Sequence, residues 1–375
     1  MKKIGFCFFS HQAHIRHQLP VAAEMSIVSG YKIDLLYTTN NAESEIIKLL
    51  SCYPNHKCSL NMIKAGAVKA FTGRLKGRLY PNIKSVVHNN KSLLLSYDAL
   101  VSPHTNLNDV MKLDRDRRVK YICTYHGAGD GQIGFDQEFS KFDLLLVPGE
   151  KTSARFELEG ISHSNNEISV VGYAKFDTLN DDVTQFFNNQ NPIIIYNPHY
   201  QQGMSSWDMF REVVFRFFEK NKQFNFIFAP HIKLFDGKFP DSLRRYEACE
   251  NFLIDVGSER LMDATYIKAA DIYIGDVSSQ VYEFLFIKGR PVVHLNIDSK
   301  RHWECDPSYM MWHCGEVVDE VNDFSVVLQK ILNAGNAPFE SIQQSLMLNN
   351  FSKTNESAGL RGAKAIMEYM SKKLD

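Results

Sequence analysis

Residues 271–296 read DIYIGDVSSQVYEFLFIKGRPVVHLN, and this stretch decides the fold class. Asp271–Gly275 is a short run of apolar and β-branched residues, and Pro291–Asn296 is a second one. Between them lie a polar turn (Asp276-Val277-Ser278-Ser279), an apolar segment of helical length at Ser279–Lys288, and the breaker Gly289-Arg290-Pro291. Antiparallel neighbours need only a tight turn, whereas parallel strands need a crossover of the kind a helix supplies. Strands that are apolar along their whole length also need cover on both faces. The stretch therefore reads as strand, helix, strand in a parallel, doubly wound α/β sheet.

The pattern extends in both directions. KKIGFCFFS, YKIDLLYTT, YDALVS, VKYICTY, FDLLLVPG and EISVVGY read as strands in the first half, and NPIIIYNP, FNFIFAP, NFLIDVG and GEVVD join the two strands above in the second. Helices are expected at Leu19–Ser29, Asn41–Leu50, Lys151–Leu158, Trp207–Lys220, Glu259–Ala269 and Phe324–Leu332. The expected organisation is a Rossmann-like domain over 1–185, a second over 190–350 after the Asn-rich NNQNP linker, and a terminal segment, 351–375, whose helix crosses back onto the first domain. Ligands of such sheets bind outside the carboxyl ends of the strands, which places chemistry in a cleft between the two halves.

With 375 residues, 44% of them hydrophobic and 12% aromatic, the chain can bury large cores, which excludes a mostly disordered protein. No run approaches the ~18–20 apolar residues of a spanning helix. The opening MKKIGFCFFSHQAHIRHQLP has too short an apolar run for a signal peptide, so a cytoplasmic location is expected. Seven scattered cysteines without a CxxC pair favour neither a disulfide framework nor a zinc site, and Cys52, His56 and Cys58 are too few to make one. The net charge of −1 hides an asymmetry, because Ile46–Tyr97 has no Asp or Glu and nine Lys or Arg. Within it, Lys69, Arg74, Lys76 and Arg78 alternate with Phe71, Leu75 and Leu79, a pattern suited to an anionic membrane surface or a phosphate-rich acceptor.

Five strand ends carry candidate site residues. His126 follows a strand and leads into Gly127, Gly129 and Gly131, which permit close backbone approach and leave the imidazole projecting as a general base. Pro230 fixes a turn from which His231 can donate to an anionic oxygen. Asp276, Ser278 and Ser279 precede a helix, where either hydroxyl can cap it while N–H groups and the other hydroxyl hold a phosphate. Asn197 and His199 follow the first strand of the second half, and His11, His14, Arg16 and His17 follow the first strand of the chain.

Taken in order, these residues resemble the CDP-glycerol glycerophosphotransferase family, which builds teichoic-acid-like poly(alditol phosphate) chains. The family's His-Gly-Thr-Pro loop is similar to His126-Gly127-Ala128-Gly129. Its Gly-Tyr-Pro-Arg-x-Asp-x-Leu box resembles Gly172–Leu179, and its Arg-Pro-His-Pro element resembles Ala229-Pro230-His231-Ile232. Its Thr-Asp-Tyr-Ser-Ser turn is similar to Gly275–Ser279, followed by a helix and Gly289-Arg290-Pro291. The chain departs from the pattern at the Thr-Pro of the first motif and at Ala229, where the family has Arg.

The resemblance implies a GT-B fold of two facing Rossmann-like domains, with the nucleotide in the second half and the acceptor in the first. It implies transfer of glycerol phosphate from a CDP-linked donor, with His126 as base and His231 and the Asp276–Ser279 turn, supported by Pro230, Asn197 and His199, on the donor phosphates. His11, His14, Arg16, Gly127 and Gly129 would lie on the acceptor side. The donor is a substrate, and neither cofactor nor metal is expected. Expected partners are the nucleotide-activated donor, a glycan or lipid-linked polymer acceptor and an anionic membrane surface at the inner face of the cell membrane, but no nucleic acid. The alternatives are a GT-B glycosyltransferase using a CMP- or UDP-linked sugar, a UDP-sugar 2-epimerase, and a non-catalytic polyanion- or lipid-binding protein.

Overall fold

The structure is a computed structural model that describes residues 1–9, 12–65, 81–131, 134–179, 182–300 and 302–372. The basic residues Lys69, Arg74, Lys76 and Arg78, and His11, lie outside the described residues. The chain forms two compact units. The first holds Met1–Gly127, Phe135–Leu179 and Asn349–Asp375, and the second holds Ala128–Gly134 and Asn180–Leu348. Ala128–Gly134, from the loop that His126 opens, thus groups with the second unit.

The first unit contains strands β1 (Lys2–Phe8), β2 (Tyr31–Tyr37), β3 (Ser59–Met62), β4 (Ala99–Ser102), β5 (Lys120–Thr124), β6 (Leu144–Val147) and β7 (Glu167–Val170) in the order β3-β2-β1-β4-β5-β6-β7. Every pairing is parallel. The second unit contains β8 (Ile193–Asn197), β9 (Asn225–Phe228), β10 (Phe252–Ile254), β11 (Ile272–Gly275), β12 (Val292–Leu295) and β13 (Glu316–Val318) in the order β10-β9-β8-β11-β12-β13, again all parallel. Strand order reverses beside β1 and beside β8, the switch points at which doubly wound sheets open a crevice.

One face of the first sheet packs on the helix Ile15–Ser26, which the helix Ala358–Ser371 then covers. Small residues allow that approach. A Cβ on Gly359 would lie 2.8 Å from Pro20, and one on Gly362 would lie 2.8 Å from Val21. In the second unit the helix Trp207–Lys220 buries Trp207, Phe210, Val214, Phe215 and Phe218, the three- and four-residue spacing of one helical face. Phe218 stacks on Phe226 of β9, and Phe215 meets Phe226 and Phe228 edge-on.

The structure differs from the sequence reading in three respects. Ser59–Met62 is an edge strand without the apolar alternation that marks the others. The helix expected over Glu259–Ala269 is broken into a 3-10 turn and a short helix, because Ala264 takes φ +63. Helices at Ile83–Asn89, Lys91–Leu94, Asn108–Met111 and Glu340–Asn350 were not anticipated, their polar residues masking the period. Among the described residues no helix is long and apolar enough to cross a membrane.

Candidate functional site

Three adjacent strands of the first sheet, β1, β4 and β5, lead into histidine-bearing turns. His14 ends the turn Gln12–His14, His104 follows Ser102-Pro103, and His126 follows Thr124-Tyr125. His14 Nδ1 and His104 Nε2 share a hydrogen bond of 2.8 Å. The His126 ring stands edge-on to both, its centroid 4.7 Å from that of His14 and 4.2 Å from that of His104.

His126 Nδ1 lies 2.7 Å from the carbonyl oxygen of Pro103. A carbonyl can only accept, so Nδ1 carries a proton, and in the neutral form of the ring the lone pair is at Nε2. That is the tautomer of a general base. Tyr173 Oη donates to the His126 carbonyl at 3.1 Å and fixes the backbone beneath it. His17 packs against Tyr173 and His126. Burial, and then the charge of Lys175, holds its pKa well below the usual imidazole value, so His17 is neutral.

The Gly172–Leu179 box supports this region from behind. Gly172 takes φ +89, and a Cβ there would sit 2.8 Å from the Ser352 carbonyl oxygen. Asp177 accepts from the backbone N–H groups of Ala358 (3.2 Å) and Gly359 (2.6 Å), the first turn of the C-terminal helix. Burial still raises the Asp177 pKa against those donors. Arg16, expected on the acceptor side, is instead buried in an ion pair with Glu45 at 2.7 Å. It braces two elements and does not present its charge to a ligand.

In the second unit the Asp276 carboxylate, expected at the donor phosphates, is 2% exposed and fully engaged. It accepts from the N–H groups of His199 (3.0 Å), Ser206 (2.7 Å) and Val277 (2.8 Å) and from Ser206 Oγ (2.9 Å). Burial raises its pKa to about 6. It straps the Pro198–Ser206 loop to the end of β11. Asn197 is engaged in the same way, since its amide donates to the Ala229 carbonyl and accepts from Tyr273 Oη, inside the sheet. Arg290 is likewise structural, donating to the carbonyls of Ala270 and Phe284.

The remaining groups converge on the carboxyl ends of β8, β9 and β11. Pro230 is buried, and the His231 N–H donates to the Pro198 carbonyl at 3.0 Å. His231 Nδ1 accepts from the Lys233 N–H at 3.2 Å, so its Nε2 bears the proton and can donate. The His231 ring lies 4.5 Å from Tyr200 and 5.4 Å from His199. Burial, then Lys233, lowers the His199 pKa to about 4. Ser278 Oγ accepts from the Gln280 N–H at 3.3 Å, whereas Ser279, the N-cap of the helix Gln280–Ile287, makes no side-chain cap bond. A Cβ on Gly129 would lie 3.2 Å from Ser279 Cβ, so Gly129 accompanies the serine turn, while Gly127 stays with His126 in the first unit.

No family model matches the sequence, and no curated protein sequence matches it. Solved structures do resemble it. A wall teichoic acid polymerase, TagF, in a variant soaked with CDPG, aligns over 98% of this chain and 88% of its own at 15% identity with a TM-score of 0.63. The S. aureus MnaA–UDP structure aligns over 98% of this chain and 96% of its own at 12% identity, also with a TM-score of 0.63. The calicheamicin glycosyltransferase CalG4 covers the whole of both chains at 12% identity, TM-score 0.55. The fold is of the GT-B type.

Sequence reasoning missed His104. The signal was present, because Ser102-Pro103-His104 repeats at the end of β4 the Pro-His pattern singled out at Pro230-His231.

Proposed function

We propose that the chain is a transferase that moves glycerol phosphate, or a related alditol phosphate, from a CDP-linked donor to a hydroxyl of a cell-surface glycan or polymer precursor. The observation that carries this reading is the hydrogen bond from His126 Nδ1 to the Pro103 carbonyl, which leaves a basic Nε2 at the carboxyl edge of a parallel sheet. The ordered motifs and the likeness to a polymerase soaked with CDPG support the donor class.

In the reaction, the acceptor oxygen forms a bond to the β-phosphorus of the donor. The bond between that phosphorus and the bridging oxygen breaks, and CMP leaves with the electron pair. The hydroxyl proton passes to His126 Nε2 as the oxygen attacks. His231, donating from Nε2, and the Ser278–Ser279 turn at the helix N-terminus neutralise charge gathering on the leaving phosphate. The basic 46–97 stretch would hold a phosphate-rich acceptor or an anionic membrane surface.

A second reading, a GT-B glycosyltransferase using a CMP- or UDP-linked sugar, is favoured by Ala229, which is buried and uncharged where the resembled motif has Arg. Thermal shifts with CMP, CDP and CDP-glycerol against UDP, UDP-sugars and GDP separate the two. Cytidine nucleotides alone should stabilise the protein, by about 2.7 kcal/mol at a hundredfold excess over Kd. Stabilisation by uridine nucleotides alone would sink the glycerophosphotransferase reading.

A further inference from the structure

We propose that His14, His104 and His126 form a binding site for one divalent transition-metal ion of the zinc class. One ring nitrogen from each of the three lies within 4.8 Å of the others, and among the described residues no other group of three His, Cys, Asp or Glu side chains converges in this way. A tetrahedral ion with Zn–N bonds of about 2.0–2.1 Å holds its ligand nitrogens about 3.3 Å apart. The His14–His104 pair at 2.8 Å has only to open slightly, and the His126 ring to close.

The supports are rigid, since the ligands follow three neighbouring strands, β1, β4 and β5. The bond from His126 Nδ1 to the Pro103 carbonyl is the contact that orients metal-binding imidazoles, fixing the ring and raising the basicity of Nε2. The donor set selects the metal class. Three imidazoles suit zinc, copper, nickel or cobalt, whereas magnesium and calcium call for oxygen ligands. Three protein ligands leave a fourth position for water or a hydroxyl. Neutral ligands leave the ion's double charge to be balanced there, so an oxygen that has lost its proton is the natural fourth ligand.

The metal site and the transfer reaction both call on His126 Nε2, so the two are tested separately. With the ion bound, His126 Nε2 is a ligand, and the hydroxyl at the fourth position loses its proton against the ion. Metal-free protein would use the imidazole itself.

The test needs no donor. Chelator-treated full-length protein is titrated with Zn2+ by calorimetry and with Co2+ by visible absorption. One ion per chain and the intense d–d bands of tetrahedral cobalt are expected. His14→Ala and His104→Ala should each weaken affinity on the order of a hundredfold, while His88→Ala, at an exposed position of the helix Ile83–Asn89, leaves it unchanged. X-ray absorption of the zinc-loaded wild type covers the case of a variant that fails to fold, with three imidazole nitrogens at about 2.0 Å expected. Absence of saturable one-to-one binding, undiminished binding by a folded His104→Ala variant, or a sulfur ligand in the absorption data would overturn the proposal. Failed binding would leave the donor reading standing, and bound metal without turnover would leave the site standing.

Discussion

Tyr173 Oη donates to the carbonyl of His126 across 3.1 Å, which ties the turn after β7 to the loop that carries the candidate base. The phenol is otherwise packed between His17, Phe176 and Phe351, so Tyr173→Phe removes one hydrogen bond and little volume. The expected loss is about 0.5–1.5 kcal/mol, seen as a lower urea midpoint with an unchanged slope. As Tyr173 acts through His126, kcat should fall while KM for the donor holds. An equal change in both would mean a merely structural role.

Asp177 supplies acceptors to two N–H groups that the helix Ala358–Ser371 cannot satisfy itself. Ser357 caps a third, that of Leu360. Asp177→Ala should therefore cost about 1–2 kcal/mol and loosen this helix first. Hydrogen exchange should show lost protection at Ala358–Arg361 and on the facing helix Ile15–Ser26. Unchanged exchange there would contradict the assignment.

Acid should destabilise the second unit through His294. Burial lowers its pKa from 6.5 to about 3, so the unfolded chain binds a proton that the folded state refuses. The contribution is complete above pH 6.5 and is lost as pH falls toward 3, on the order of a few kcal/mol. Asp276 opposes this between 3.8 and about 6, since its raised pKa lets the folded state bind a proton first, and stability from that group declines as pH rises through the window. The difference in urea midpoint between wild type and His294→Leu should therefore shift with pH between 6.5 and 4, in the direction of relief for the variant in acid. A constant difference would rule His294 out as the source.

Ser278→Ala combined with Ser279→Ala should weaken binding of the CDP-linked donor about 10- to 100-fold, as expected for losing hydrogen bonds to a charged phosphate. Ser279 makes no side-chain cap bond, but Ser278 is buried and bonds both the Gln280 N–H and Tyr273, so the urea midpoint of the variant is measured beside its affinity. Calorimetry with CDP-glycerol reads this directly, and unchanged affinity would remove the serine turn from the donor site.

The fold was legible because, among the described residues, twelve of the thirteen strands are compact apolar runs and only Ser59–Met62, an edge strand half open to solvent, lacks that signature. His126 was singled out because a histidine opening a glycine-rich loop at a strand end is an unusual combination, and the structure places it beside His14 and His104. The surroundings of Asp276 and Asn197 were not legible, because sequence cannot distinguish a polar side chain facing ligand from one facing backbone. Both are buried and spend their hydrogen bonds on the loops around them. The histidine trio was hidden for a different reason. His104 and His14 stand 90 residues apart in sequence and meet only because β1 and β4 are neighbours in the sheet.

The most direct test is release of CMP from CDP-glycerol by purified protein with a hydroxyl-bearing polymer acceptor, followed by phosphorus NMR for wild type and His126→Gln. Transfer with His126 as base predicts CMP and a new phosphodiester in equal amounts, slowed about 10²- to 10⁴-fold in the variant while donor affinity is retained. No CMP release by wild type, or release at the full rate by His126→Gln, would contradict it.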